Sequence, residues 1–199
     1  MPAWAVRPMK IAVSARGDHF HMSLDMMLRA PVQRVWHVIT DYADIRRLNP
    51  AVKRATVIRR DGLTLLRMHI RSCVLFICFP VTQTEAMTAR RHLRVRGVII
   101  PQLSSFRSGY SQWRLQAVAG GTKARFEATF TPSFYIPPLI GPWMIRRKLH
   151  DEMRKTASRL TAWVDAKTPY KALVPFLARA NARRDHLGEF HNDSFRTLS

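Results

Sequence analysis

The chain has 199 residues and a mass of 23.0 kDa, which is enough for one well-buried domain with short tails. Hydrophobic residues make up 47% of the sequence, a fraction that excludes an intrinsically disordered protein. With 33 basic and 13 acidic side chains the formal net charge is +20, which favours polyanionic partners and indicates nothing about the fold.

The sequence predicts neither a secretory signal nor a membrane span. No run of about 18 apolar residues occurs anywhere, so the sequence predicts no membrane-spanning helix. Met1–Ser14 alternates apolar and basic residues and lacks the continuous apolar block of a secretory signal. We therefore predict a flexible N-terminal segment over residues 1–17 and a cytoplasmic protein, with peripheral association at the inner membrane as an option.

The first predicted elements are a strand and two short helices. Apolar residues alternate in His19–Leu28, which predicts a half-buried strand because strand side chains point to alternate faces. Val32–Ile39 has apolar residues at helical spacing and follows a proline suited to a first turn. Asp41–Leu48 is predicted to be a second short helix, which ends before the Asn49-Pro50 pair.

From Val52 onward the pattern is that of an antiparallel meander, in which strands are separated by turn signals such as Asp61-Gly62 and Gly120-Gly121. The predicted strands are Lys53–Arg60, Leu63–Arg71, Val74–Thr88, His92–Ile99, Arg107–Val118 and Thr122–Thr131. Cys73 and Cys78 are interpreted as parts of one strand, where a spacing of five places them on opposite faces. We therefore predict two small buried side chains with neither a disulfide nor a metal site.

The longest predicted helix is Trp143–Asp165, which has an apolar stripe on one side and a basic face on the other. After it, residues 167–199 are predicted to form a basic C-terminal tail that contains a candidate short helix over Val174–Arg184.

Three segments, Ala30–Tyr42, Gly109–Leu115 and Pro137–Leu149, resemble the START-like (SRPBCC) superfamily, and most of all its bacterial coenzyme Q-binding and polyketide cyclase-like members. The resemblance covers residues 18–166 and implies an α+β helix-grip fold. In that fold a curved antiparallel sheet of about six to seven strands wraps around a long C-terminal helix, with two short helices after the first strand.

The resemblance also implies a cavity between sheet and helix that holds a hydrophobic molecule such as a quinone, lipid or polyketide. A curved sheet closed by one helix independently leaves space that side chains need not fill. The residues expected to contact this ligand are Trp113, Leu115, Phe126, Ala128, Phe130 and Met153. Taken singly, each of these residues is more often part of a packed core, so the pocket prediction depends on the set. No resident cofactor or metal is predicted.

The connector before the long helix is apolar and aromatic and runs directly into three basic residues. Such an apolar segment is expected to pack against the rest of the protein, to gate a pocket or to contact a membrane. The adjacent cations favour an anionic membrane surface. The alternative is a proline-rich turn packed on the sheet beside a solvated basic face. The candidate gate or membrane-contact residues are Phe134, Tyr135, Ile136, Leu139, Ile140, Trp143, Arg146, Arg147 and Lys148.

Four polar residues, Arg67, His69, Arg71 and Glu85, lie in otherwise apolar predicted strands and are candidates to orient a ligand head group. Most of them are expected to face solvent instead. No nucleophile elbow, phosphate loop or paired-carboxylate motif occurs, so we expect a noncatalytic binding or transport protein. The alternatives are a cyclase- or dehydratase-like enzyme and a ribosome- or RNA-associated protein. The oligomeric state is not indicated.

Overall fold

The sheet and helices come from a computed structural model that describes residues 9–60, 62–74, 77–136 and 141–165. The strands form one antiparallel sheet in the order β1-β2-β8-β7-β6-β5-β4-β3, a meander from β3 to β8 with β2 paired to β8. They are β1 (Lys10–Arg16), β2 (His19–Leu28), β3 (Val52–Arg60), β4 (Leu63–Val74), β5 (Ile77–Arg90), β6 (Arg94–Ile99), β7 (Phe106–Val118) and β8 (Gly121–Pro132).

Two short helices follow β2, as the sequence predicts. The first, α1 (Val32–Thr40), begins after Pro31 and buries Val35 and Ile39. The second is a 3₁₀ helix over Tyr42–Arg47. A short 3₁₀ turn over Pro101–Leu103 connects β6 to β7, and the long helix α2 spans Gly141–Asp165.

The sheet curves around α2, because this helix contacts β1 and β2 near one edge of the sheet and β4 near the other. Its residues Met153, Ala157, Leu160 and Val164 are buried and recur every three or four positions, so one helical stripe faces the sheet. These four residues pack with buried residues of β2 and α1 in one hydrophobic core. This arrangement confirms the predicted α+β helix-grip fold, with eight strands instead of six or seven.

The additional strand is β1, in a region where the sequence predicts a flexible segment. It pairs with β2 from Lys10↔Asp25 to Arg16↔His19, so the prediction is wrong for residues 10–16. The apolar residues of β1 are only half-buried and alternate with exposed polar or small ones. An edge strand buries little, so its apolar alternation is too weak to predict a strand from the sequence.

The prediction for the two cysteines is also wrong. Cys73 lies at the end of β4 and Cys78 near the start of β5, directly opposite each other in the register, and they form a disulfide. The chain therefore reverses between them instead of continuing as one strand. The sequence between them has no Gly, Pro, Asn or Asp to mark a turn, which is why the reversal was missed.

Candidate functional site

A cavity of about 290 Å³ lies between the inner face of the sheet and α2. Residues of seven strands, β2 to β8, line it, most of them at alternate positions because the side chains of a strand alternate between its two faces. Most of the lining is apolar, contributed among others by Met22, Leu66, Met68, Val81, Ile99 and Phe106. A mostly apolar cavity with few polar groups is typical of sites for hydrophobic small molecules.

The structure brings together five of the six residues predicted to contact a ligand. Trp113 on β7 and Phe126, Ala128 and Phe130 on β8 line the cavity, as does Met153 on α2. The rings of Trp113 and Phe126 are 4.9 Å apart at their centroids and form one aromatic wall. The sixth residue, Leu115, belongs to the packed core beyond the cavity.

The predicted gate residues divide into cavity-lining and exposed groups. Phe134 lines the cavity and packs on Phe106 at 6.5 Å between ring centroids, while Ile136 is half-buried. Tyr135 and Trp143 are 82% and 60% exposed, so two aromatic side chains face solvent beside α2. Leu139 and Ile140 lie outside the described residues.

The three basic residues at the start of α2 also differ in their surroundings. Arg146 and Arg147 are exposed, and the Arg147 guanidinium lies 5.8 Å from the Trp143 ring centroid. Lys148 lines the cavity, and its Nζ is 2.9 Å from Glu152 Oε1. The other carboxylate oxygen of Glu152 is buried and has no hydrogen-bond partner among the described residues.

The most deeply buried polar group of the cavity is Glu85 on β5, which is 2% exposed. Gln83 Nε2 donates a 2.7 Å hydrogen bond to its Oε1, and Ser111 Oγ donates a 2.9 Å hydrogen bond to its Oε2. All three side chains line the cavity, where they form one polar patch in an apolar wall.

A glycine makes room for this patch. Gly97 on β6 lies between the strands of Glu85 and Ser111, and a Cβ atom built on it would lie 2.2 Å from Glu85 Oε2 and 2.9 Å from Met87 Sδ. No side chain fits there unless the carboxyl moves. The glycine therefore keeps space on the inner face of β6 for the Glu85 carboxyl.

The apolar surroundings change the protonation of two side chains. Burial raises the pKa of Glu85, and the hydrogen bonds from Gln83 and Ser111 only partly oppose this shift. Burial also raises the pKa of Tyr42 to about 12, and the nearby Glu85 adds to that shift. Tyr42 is thus a neutral hydroxyl in the cavity wall, and Glu85 favours its protonated form far more than a solvated carboxyl does.

Of the four polar strand residues singled out in the sequence, only Glu85 points into the cavity. Arg67 is half-buried and His69 and Arg71 are exposed, on positions that alternate with inward residues of β4. The inward position of Glu85 follows from its spacing of two from Gln83 and Met87, which also line the cavity. Sequence reasoning missed the roles of Ser111 and Gly97, because nothing local links β5 to β7.

Among the residues that the structure describes, no group of three or more His, Cys, Asp or Glu side chains is placed to hold a metal ion. Within the same residues, no helix has the length and apolar character needed to cross a membrane.

Comparison with known proteins agrees with this geometry. Residues 19–164 match the family described as polyketide cyclase / dehydrase and lipid transport. No curated protein matches the sequence significantly.

Solved structures share the fold at low identity. The protein TTHA0849 from Thermus thermophilus is 16% identical, with a TM-score of 0.60 over 74% of this chain and 99% of that one. A START superfamily protein from Mycobacterium smegmatis is 14% identical, with a TM-score of 0.58 over 74% and 99% of the two chains. A STAR-related lipid transfer protein from Xanthomonas axonopodis is 15% identical, with a TM-score of 0.56 over 78% and 98%. The family match, together with these shared folds, confirms the resemblance to the START-like superfamily.

Proposed function

The chain belongs to the polyketide cyclase / dehydrase and lipid transport family, and on that basis we propose that it is a noncatalytic carrier of a hydrophobic small molecule. The supporting observation is the cavity of about 290 Å³, whose wall is mostly apolar and aromatic. Burying apolar ligand surface in such a cavity is favourable by about 25 cal/mol per Å². A quinone, a lipid or a polyketide-like molecule has the required character.

Native mass spectrometry of protein purified without detergent tests the carrier function. We expect an added mass that organic solvent extracts, or a one-to-one complex after incubation with a short-chain quinone or a lipid. A cavity that accepts neither class of molecule would contradict the proposal.

We further propose that the carrier docks on anionic membrane through a surface that we call the basic aromatic corner, defined by Tyr135, Trp143, Arg146 and Arg147. The rings of Tyr135 and Trp143 are exposed. The two exposed arginines are adjacent residues near the start of α2. Exposed aromatic residues beside cations suit the interface between lipid headgroups and acyl chains. Phe134 connects this corner to the cavity, because it lines the cavity and directly precedes Tyr135.

Liposome flotation tests the docking. We expect binding to vesicles of phosphatidylglycerol and phosphatidylcholine but not to phosphatidylcholine alone. Each cation near an anionic surface contributes about 1 kcal/mol, so R146A/R147A should weaken binding by about thirtyfold. The matched control is R90A/R91A, which removes two exposed arginines where β5 ends. Equal losses in the two double variants would indicate a general charge effect, and salt-sensitive binding to RNA instead of vesicles would favour the ribosome or RNA alternative.

A second candidate function is a cyclase- or dehydratase-like enzyme. The observation in its favour is Glu85, because a buried carboxyl of raised pKa in a cavity is a feature of general acids. Incubation with an aromatic polyketide precursor, followed by mass spectrometry, distinguishes the two functions: an enzyme releases a cyclised or dehydrated product, whereas a carrier returns the precursor unchanged.

A further inference from the structure

Glu85 is the one fully buried carboxyl in the described part of the chain. A cavity that binds only apolar surface has no need of such a group. An ionisable group in an apolar interior destabilises the fold unless it is paired or protonated. Its partners among the described residues are two neutral side chains, Gln83 and Ser111. Of the cavity-lining residues that the structure describes, Lys148 alone is cationic, and it is already paired with Glu152. Protonation is therefore the available way to keep this carboxyl in the cavity wall.

The hydrogen-bond arrangement leaves one donor for a ligand. Gln83 and Ser111 both donate, one to each oxygen of Glu85, so the carboxyl acts only as an acceptor in these two bonds. A protonated carboxyl carries one O–H donor in addition. Neither of the two bonds uses it, and the side chain lines the cavity. A ligand that offers an acceptor oxygen can satisfy this donor.

Gly97 indicates that the carboxyl has a defined place. The carboxyl fills the space where a Cβ at position 97 would lie, 2.2 Å from Oε2. Its position is thus set by backbone on one side and by two hydrogen bonds on the others. A group held in this way is preorganised, so little conformational freedom is lost when a ligand binds to it.

We propose that Glu85, held by Gln83 and Ser111 over Gly97, is a polar subsite that binds the acceptor oxygen of an uncharged, mainly apolar ligand and rejects ligands ending in a carboxylate. The acceptor is a ketone, quinone or ester carbonyl. A ligand carboxylate is disfavoured because burying its charge in an apolar cavity costs far more than burying a carbonyl, and Lys148 of the lining is already paired with Glu152. This inference rests on the proposed carrier function, since the cavity must first admit a ligand.

Three probe molecules of nearly equal size test the subsite: tetralin, its ketone α-tetralone, and tetralin carboxylic acid. They share a bicyclic hydrocarbon that suits an apolar cavity, and they differ only in the oxygen group. We expect α-tetralone to bind the unmodified protein about fivefold more tightly than tetralin, the gain of one buried hydrogen bond. The carboxylate should bind more weakly than tetralin. Isothermal titration calorimetry at neutral pH gives all three affinities.

Variants assign the preference to Glu85. Glu85→Leu should abolish the ketone preference and leave tetralin binding intact, whereas Glu85→Gln keeps an N–H donor and should retain most of it. Gly97→Ala, which displaces the carboxyl without removing it, should also reduce the preference. Glu127→Gln is the matched control, because this carboxylate lies in the same sheet outside the cavity and contacts Arg125. It should leave all three affinities unchanged.

The outcomes separate the two proposals. If none of the probes binds, the carrier function fails and the subsite with it. If tetralin binds but α-tetralone has no advantage, or if Glu85→Leu leaves that advantage in place, the subsite is refuted and the carrier function survives. Tight binding of the carboxylate would likewise refute the subsite. Circular dichroism on each variant verifies folding, and if Glu85→Leu does not fold, Gly97→Ala keeps the test decisive, because an unchanged ketone preference in that variant would refute the subsite.

Discussion

Ser111 on β7 donates a 2.9 Å hydrogen bond to Glu85 on β5, across the strand that separates them. Strands on either side of a third are about 9 to 10 Å apart, so their side chains meet only where the middle strand leaves space. Gly97 leaves that space, and it is paired in register with Met87 on one side and Ser111 on the other. A three-strand contact thus depends on one missing side chain.

Gly97→Ala tests this dependence. The added methyl would overlap the Glu85 carboxyl, and we expect a loss of about 1 to 3 kcal/mol in the free energy of unfolding, as in other overpacked cores. Urea denaturation measures it. In a Glu85→Ala background the overlap with the carboxyl disappears and only the contact with Met87 Sδ remains, so the same substitution should cost at least about 1 kcal/mol less.

Val98→Thr is the control for Gly97→Ala, because Val98 is on the same strand and 44% exposed. A change there should stay within about 0.5 kcal/mol. Equal costs for Gly97→Ala with and without the Glu85 carboxyl would show that the overlap is not the cause.

Stability should depend on pH through Glu85. Its pKa in the folded protein is raised above the ordinary 4.5, so the unfolded chain loses this proton first as the pH rises. The contribution of Glu85 to stability is therefore fully present below pH 4.5 and declines as the pH rises toward the folded pKa. The slope is at most about 1.4 kcal/mol per pH unit.

Glu85→Gln cannot titrate, so its stability relative to the unmodified protein should increase with pH from about 4.5 upward. Urea denaturation at several pH values measures this difference. The other ionisable residues of the cavity lining are present in both proteins, so their contributions largely cancel; they are Tyr42, Tyr110, Lys148 and Glu152. A difference that stays constant with pH would contradict the buried, protonated state of Glu85.

Ala128→Leu should reduce the affinity for hydrophobic probes. Ala128 is 4% exposed and lines the cavity, so a larger side chain there occupies volume that a ligand needs. We expect at least a tenfold loss of α-tetralone binding, equivalent to about 1.4 kcal/mol. Ala117→Leu, at an exposed position of β7, is the control and should bind normally. Unchanged affinity for Ala128→Leu would place the ligand elsewhere.

The Cys73–Cys78 disulfide should be modestly stabilising. It closes a loop with a sequence separation of 5, and constraining so short a loop in the unfolded chain is worth about 2 kcal/mol. We expect dithiothreitol to lower the free energy of unfolding by this amount and to have no effect on C73S/C78S. Thiol alkylation of freshly lysed cells with mass spectrometry gives the state in the cell. Structural disulfides are rare in the cytosol, so an oxidised pair would argue against the predicted cytoplasmic location.

Much of the fold could be predicted from the sequence because it follows from local patterns. Alternation of apolar residues identified β2 and β8, and helical spacing identified α1 and α2. The same alternation placed Phe126, Ala128 and Phe130 on one face, which the structure shows to line the cavity. Where the pattern was weak, as in β1, the strand was missed.

Apart from β1, the sequence by itself determined the main strands and helices, their order and their apolar faces, since these depend on residues close together in the chain. The tertiary structure alone decided that Cys73 faces Cys78, that Leu115 packs in the core, and that Ser111 meets Glu85 over Gly97. These contacts depend on strand register and on how tightly the sheet curves around α2. Both are set by the packing of the whole sheet, and a local pattern does not encode them.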